Sequence, residues 1–334
     1  SAQGRELAAL HREIPVGHID AWIRMSHKRL TMGDFMYLPA LVSIQDALED
    51  AGAVTRIIDW SSDAEMLEGV LKAAAGGRQP LVVDVGTPFM SDESEETLQH
   101  CVHAGARLVL YATEPFDADR VQRLARDLGA HEVWEYALGN IDKYSPEFMK
   151  RTPVSYMPPG YSPQLDANVS LESAERREDL VGFMGGLNKR PQLVQQMYRD
   201  MFGHSMKHTY KVATKAQTHK FLGQLPLQLN LHKHQTCCPH DPDEWSAMES
   251  FRMAALLTNK ACVVSTPISA KDQPLWEGIV HFAEANDTLD EVNRLRKNVT
   301  ACQLEAARLF KERFDPARLL RESGFLSRWR PSAH

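Results

Sequence analysis

The sequence predicts an α/β protein of two Rossmann-like, doubly wound domains facing a cleft. Three observations lead there. Short apolar runs rich in β-branched residues alternate with longer segments of helical period, as in buried parallel sheets. The alternation stops across a polar stretch near the middle of the chain, then starts again. The chain has 334 residues, too many for one typical core and enough for two.

In the first half the expected strands are Ile19–Met25, Val54–Ile58, Leu81–Val85, Leu108–Tyr111 and Glu132–Glu135. Each is bounded by Gly, Pro or Asp, which punctuate rather than continue a strand. Helical patterns lie between them, at about Phe35–Ala51, Asp63–Ala75, Ser94–Ala104 and Asp117–Leu128. The segment Val154–Gly160 reads as one last short strand entering a turn. Residues 1–160 are expected to form the first domain.

Residues 161–178 read as a linker. They are polar, contain Pro163, and run into the charge cluster Arg176-Arg177-Glu178-Asp179 at the domain border. The second domain is expected over 179–334. Its strands are Leu180–Met184, His208–Val212, Leu225–Leu231, Ala261–Ser265 and Ile279–Ala283. Pro191 suits the first turn of a helix running to about Phe202. Amphipathic patterns at Leu289–Lys297 and Ala301–Phe314 close the chain.

Composition is ordinary for a globular protein, 43% hydrophobic and 25% charged. A net charge of -6 provides no global basic field for nucleic acid. No apolar run approaches the roughly 20 residues of a membrane helix. The five cysteines are scattered and suggest no disulfide framework, so a reducing, cytoplasmic setting is expected.

Two segments of the second half hold chemistry-bearing residues. After the strand ending at Met184 comes Gly185-Gly186-Leu187-Asn188-Lys189-Arg190. Paired glycines let backbone approach a ligand, and the helix start that follows favours phosphate. Lys189 and Arg190 add charge-assisted donors, and Asn188 of the same turn is counted with the binding residues. The alternative is an ordinary turn with solvated basic residues. The second segment runs from Leu225 to Thr266: strand, polar loop, helix, strand. This order sets His232 at a carboxyl strand end, and Glu249, Ser250 and Arg252 near a helix start above the sheet, where open α/β folds bind ligands. Glu249 and Arg252 stand three apart on one helix face. Their alternative reading is an exposed salt bridge worth tenths of a kcal/mol. His232–Asp241 is rich in metal-ligand residue types. The adjacent Cys237-Cys238 does not match zinc spacing, so no metal is expected there.

In the first half, loops after strands carry His27, Asp34 and Glu114. These are the candidate general bases. Asp34 before Phe35 reads equally as a helix N-cap, and Glu114 precedes Pro115 near a helix start. Trp134-Glu135-Tyr136 ends the last long strand, with aromatics suited to a core or to stacking on a ring.

The chain resembles the GT-B glycosyltransferases, in particular family 1/4-like and spore-coat-type enzymes. The matching pieces are Glu132–Ile141, Tyr156–Tyr161, Val181–Arg190 and, most strongly, Leu229-Asn-Leu-His232 with Glu249–Thr266. The resemblance implies transfer of a sugar from a nucleotide-diphosphate sugar to an acceptor hydroxyl, with no bound cofactor. It assigns Gly185, Gly186 and Arg190 to the diphosphate and Glu249 to ribose. The acceptor, a glycan, a lipid-linked saccharide or a small molecule, would sit on the first domain. The chain departs from the pattern of retaining members at Leu257, where those often have a second glutamate eight residues after the first. Retention or inversion is therefore left open. A sugar-nucleotide epimerase and a non-catalytic binding protein are the other readings of the same frame.

Overall fold

The structure is a computed structural model that describes residues 19–26, 30–86, 90–113, 118–185, 192–209, 214–232 and 247–328; at 30–36, 193 and 194 it describes the backbone alone. Two wholly parallel sheets dominate it. The first contains β1 (Ile19–Met25), β2 (Val54–Asp59), β3 (Gln79–Val85), β4 (Arg107–Ala112), β5 (Glu132–Glu135) and β6 (Val154–Tyr156), in the order β2-β1-β3-β4-β5-β6. The second contains β7 (Val181–Met184), β8 (Met206–Thr209), β9 (Leu227–Asn230), β10 (Cys262–Ser265) and β11 (His281–Phe282), in the order β8-β7-β9-β10-β11. Each sheet thus starts from an inner strand, adds one neighbour on one side, and grows outward on the other. Strand order reverses at the β1/β3 and β7/β9 junctions, where open α/β sheets form a ligand crevice at their carboxyl ends.

The first half carries helices α1 (Leu30–Asp50), α2 (Asp63–Ala75), α3 (Asp92–His103), α4 (Ala118–Leu128), α5 (Leu138–Ile141) and α6 (Pro146–Arg151). The second carries α7 (Gln192–Phe202), α8 (Lys215–Gln224), α9 (Ser250–Thr258), α10 (Gln273–Trp276), α11 (Thr288–Arg296), α12 (Val299–Arg313), α13 (Pro316–Glu322) and α14 (Phe325–Arg328). α1 starts at Leu30 and not at Phe35. Asp34 therefore stands inside the helix and does not cap it.

The first sheet's strands are buried on both faces wherever helices cover them. β1, IDAWIRM, is buried throughout. Its penultimate residue, Arg24, is fully enclosed and ion-pairs with Asp84 of β3 at 2.5 Å and with Asp63 at 2.6 Å. Burial pushes the Asp84 carboxyl up, and Arg24 opposes that shift.

One apolar core runs through both halves. It joins Ile23, Leu41, Leu48 and Val83 to Met253, Leu256, Val263 and Phe310. The connecting segment is docked into it. Leu165, Ala167 and Val169 are buried, and Asn259 of the second half accepts from the Ala167 amide at 2.7 Å and donates to the Leu165 carbonyl at 3.0 Å. The last helices return to the first sheet. Phe325 meets Trp134 edge-on at 5.1 Å, and Arg328 donates to Glu132 at 2.7 Å.

The cysteines depart from the expectation of unpaired thiols. Cys262 opens β10 and Cys302 lies on α12, with Cα atoms 5.5 Å apart, and the two are joined in a disulfide. Packing of α12 on the second sheet brings them together across 40 residues. Among the described residues, no helix is long and apolar enough to cross a membrane.

Candidate functional site

The carboxyl end of the second sheet gathers a polar cluster. Asn230 ends β9 and Ser265 ends β10, and parallel pairing sets them side by side. Asn230 Nδ2 donates to Ser265 Oγ at 2.9 Å. His232 lies two residues beyond Asn230, and its Nε2 is 3.2 Å from Asn230 Nδ2 and 3.4 Å from Ser265 Oγ. All three polar side chains are buried.

α9 descends onto this cluster. Arg252 Nη1 donates to Asn230 Oδ1 at 2.6 Å, while Nη2 pairs with Glu249 one turn back. The guanidinium also lies over the Phe183 ring, 5.2 Å from its centroid. Its side chain is only 14% exposed and that of Glu249 32% exposed, so this is no freely solvated surface pair. A planar fork holds an amide oxygen and a carboxylate from two separate nitrogens in fixed geometry, which a single ammonium nitrogen does not reproduce. Ser250 is fully buried at the first helical position, and its Oγ has no hydrogen-bond partner among the described residues. A buried hydroxyl left unpaired costs free energy unless something else meets it.

Gly185 follows β7 directly. A Cβ there would stand 2.6 Å from the Phe183 ring, the same ring that supports Arg252. Only glycine lets the chain turn over that ring without moving it.

Phe251, between Ser250 and Arg252, points to the other half. It meets Tyr37 of α1 at 5.8 Å, Tyr111 of β4 at 6.2 Å and Tyr136 beyond β5 at 5.5 Å. Thr113, just past β4, is buried with its Oγ1 unpartnered among the described residues. A second contact joins the halves nearby. Asp272 accepts from the backbone amides of Leu138 at 2.8 Å and Gly139 at 3.3 Å, at the start of α5.

The structure thus brings together three expected residues, His232, Glu249 and Arg252, through Asn230, buries Ser250 at the start of the same helix, and sets Gly185 beside the Phe183 ring. Asp34 is described by its backbone alone. His27, Glu114, Gly186, Asn188 and Arg190 lie outside the described residues. Asn230, Ser265 and Phe183 were not among the expected site residues. Their signal is a polar residue closing each of two apolar strands, at positions that only the register makes neighbours.

No protein-family profile matches the chain, and no curated protein sequence matches it. Solved structures do. T4 phage BGT in complex with its UDP-glucose substrate matches over 92% of this chain and 99% of its own, with a TM-score of 0.52 and 11% identity. The spinosyn rhamnosyltransferase SpnG, complexed with thymidine diphosphate, matches over 91% of this chain and 99% of its own at a TM-score of 0.44 and 9% identity. The lipopolysaccharide outer core galactosyltransferase WaaB matches over 92% and 99% at 0.45 and 9%. Together with the paired parallel sheets, the likeness to T4 phage BGT shows that this chain has the GT-B fold.

Proposed function

We propose that this chain is a glycosyltransferase that moves a sugar from a nucleotide-diphosphate sugar to an acceptor hydroxyl in the cleft between its two halves. The observation that carries the reading is the cluster of Glu249, Arg252, Asn230 and His232 at the carboxyl ends of β9 and β10. Such a set suits a polyhydroxylated, anionic ligand. Carboxylates accept from sugar hydroxyls, while guanidinium and imidazole donate to phosphate oxygens.

In this reading Glu249 holds the ribose and the turn from Gly185 to Arg190 holds the diphosphate. Fixed donors that stabilise the departing diphosphate lower the barrier, because its charge grows as the glycosidic bond breaks. A base on the first half, Asp34, Glu114 or His27, would take the acceptor proton if the anomeric centre inverts. The acceptor would be a glycan, a lipid-linked saccharide or a small molecule. T4 phage BGT, bound to UDP-glucose, supports the donor class.

The test is thermal shift and calorimetry with UDP, GDP, ADP, CDP and dTDP and their common sugars. A ligand that binds only the native state raises the melting temperature. The expected result is one preferred nucleotide, its affinity reduced roughly ten- to a hundredfold by Glu249→Gln, the range for losing one hydrogen bond to a charged group. A folded sample that binds none of them overturns the reading. Isomerised nucleotide-sugar formed without any acceptor would replace transfer with epimerisation.

A further inference from the structure

Away from the candidate donor site, three side chains from three elements meet at the outer part of the second sheet. Cys262 comes from β10, His281 from β11 and Cys302 from α12, and their ligand atoms all lie within 4.8 Å of one another. Cys262 is buried, and Cys302 packs against the second sheet's core. His281 Nε2 faces Cys302 Sγ at 3.4 Å. Its other nitrogen, Nδ1, lies 3.4 Å from Glu291 Oε1. Glu291 is itself held by Arg294 through two hydrogen bonds of 2.6 and 2.7 Å.

A disulfide needs neither the imidazole nor the carboxylate behind it. A metal site uses both, the imidazole as ligand and the carboxylate to orient it. Ligating histidines commonly donate their second N–H to a carboxylate, which fixes the tautomer and turns the other nitrogen's lone pair toward the ion. Two ligands of a tetrahedral Zn2+ stand about 3.5 Å apart, given bond lengths of about 2.3 Å to sulfur and about 2.0 Å to nitrogen. The His281–Cys302 separation already has that value. We propose that, when the disulfide is reduced, Cys262, Cys302 and His281 bind one soft divalent cation such as Zn2+. The site clamps β11 and α12 to β10, with a water molecule as fourth ligand.

The chemistry balances with a dithiol as reductant. Its thiolate attacks the protein disulfide, and the Cys262–Cys302 bond breaks. Two electrons and two protons pass to the protein, and the dithiol closes to its own disulfide. Metal binding then releases the two thiol protons, since cysteine ligates as thiolate and histidine as the neutral ring. Arg294 also approaches His281 Nδ1, at 3.4 Å, so the metal-bound form selects the tautomer in which Nδ1–H donates to Glu291.

The test uses the full chain with Cys237→Ser and Cys238→Ser, so that the adjacent cysteine pair contributes no thiolate. The protein is reduced anaerobically with dithiothreitol, desalted and titrated with Co2+. The expected result is one Co2+ per chain, with thiolate-to-cobalt charge-transfer absorption and the intense visible bands of four-coordinate cobalt, bleached by Zn2+. Cys302→Ser should abolish these bands, His281→Gln should weaken binding by more than tenfold, and Glu291→Gln should weaken it by roughly ten- to a hundredfold. Circular dichroism is followed throughout. Reduced protein that stays folded and shows no charge-transfer band overturns the proposal. Bands that persist in Cys302→Ser overturn it as well. Reduced protein that loses structure and regains it with Zn2+ supports it, and failure to regain structure counts against it.

Discussion

Phe251 of α9 meets Tyr37 of α1 edge-on, with ring centroids 5.8 Å apart and planes at 88°. The next residue, Arg252, bonds Asn230 of the second sheet. Successive residues on a helix project about 100° apart. One turn of α9 therefore grips the first half with an aromatic ring and the candidate donor site with a guanidinium. Whatever shifts Phe251 shifts Arg252.

That linkage predicts two effects of Phe251→Ala. Loss of the ring from a partly buried aromatic cluster should destabilise the protein by about 2–4 kcal/mol, somewhat less than a fully enclosed phenylalanine. Urea unfolding should show a lower midpoint with little change in slope. Nucleotide affinity should fall as well, although Phe251 makes no described contact with the polar cluster. Unchanged affinity in the folded variant would show that α9 transmits nothing between the halves.

Arg252→Lys retains the charge and removes the fork. A lysine has one nitrogen in place of the Nη1 and Nη2 that separately hold Asn230 Oδ1 and the Glu249 carboxylate. The expected outcome is a fall in nucleotide affinity of about tenfold with a modest change in melting temperature. Arg252→Ala goes further. It leaves the buried Asn230 oxygen without its donor, a cost of about 1–3 kcal/mol in stability. If lysine and arginine bind nucleotide equally well by calorimetry, the bidentate geometry has no role in the site.

The strands of the first half are legible in the sequence because burial on both faces demands continuous apolar, β-branched runs. β1 and β5 coincide with the expected segments from end to end. β8 does not. It is Met206–Thr209 where His208–Val212 was expected, and its pattern MKHT has one apolar residue, because an edge strand with half-exposed side chains needs no apolar run. α1 starts at Leu30, one turn before the cap that Asp34 suggests. Asp34 is a favourable cap residue, and a cap preference worth about 1 kcal/mol does not outweigh the rest of the helix. His232 and the residues from Glu249 to Arg252 could be placed together from the strand-loop-helix-strand order alone. Asn230 with Ser265, and Cys262 with Cys302, could not. These pairs depend on register and on helix docking, which local pattern does not encode.

Asp272 joins the halves through backbone. Its carboxylate accepts from the amides of Leu138 and Gly139 and from Ser269 Oγ at 2.6 Å, and it is 1% exposed. Asp272→Ala should cost about 1–3 kcal/mol, because buried N–H groups lose their acceptor. Ser269→Ala should cost less. Since both changes act on one network, their sum should miss the double variant by more than about 0.5 kcal/mol in urea unfolding. Strict additivity would mean that the serine does not help hold the carboxylate.

Glu135 closes β5 at 2% exposure, and burial pushes its pKa up to about 8. Hydrogen bonds from Tyr144 Oη at 2.5 Å and Asn140 Nδ2 at 3.1 Å pull in the opposite direction without overcoming burial. In the unfolded chain the same carboxyl titrates near 4.5. Between those two values the folded protein keeps a proton that the unfolded chain has released. Stability must therefore fall as pH rises through that window and level off above about 8. The slope from this group is at most about 1.4 kcal/mol per pH unit. Glu135→Gln keeps a neutral side chain of the same shape and should remove that slope. In urea unfolding at several pH values, the variant should gain on the wild type steadily across the window and then hold a constant advantage. Parallel pH profiles for the two proteins would show that Glu135 is ionised in the folded state at neutral pH, with Tyr144 and Asn140 stabilising its charge.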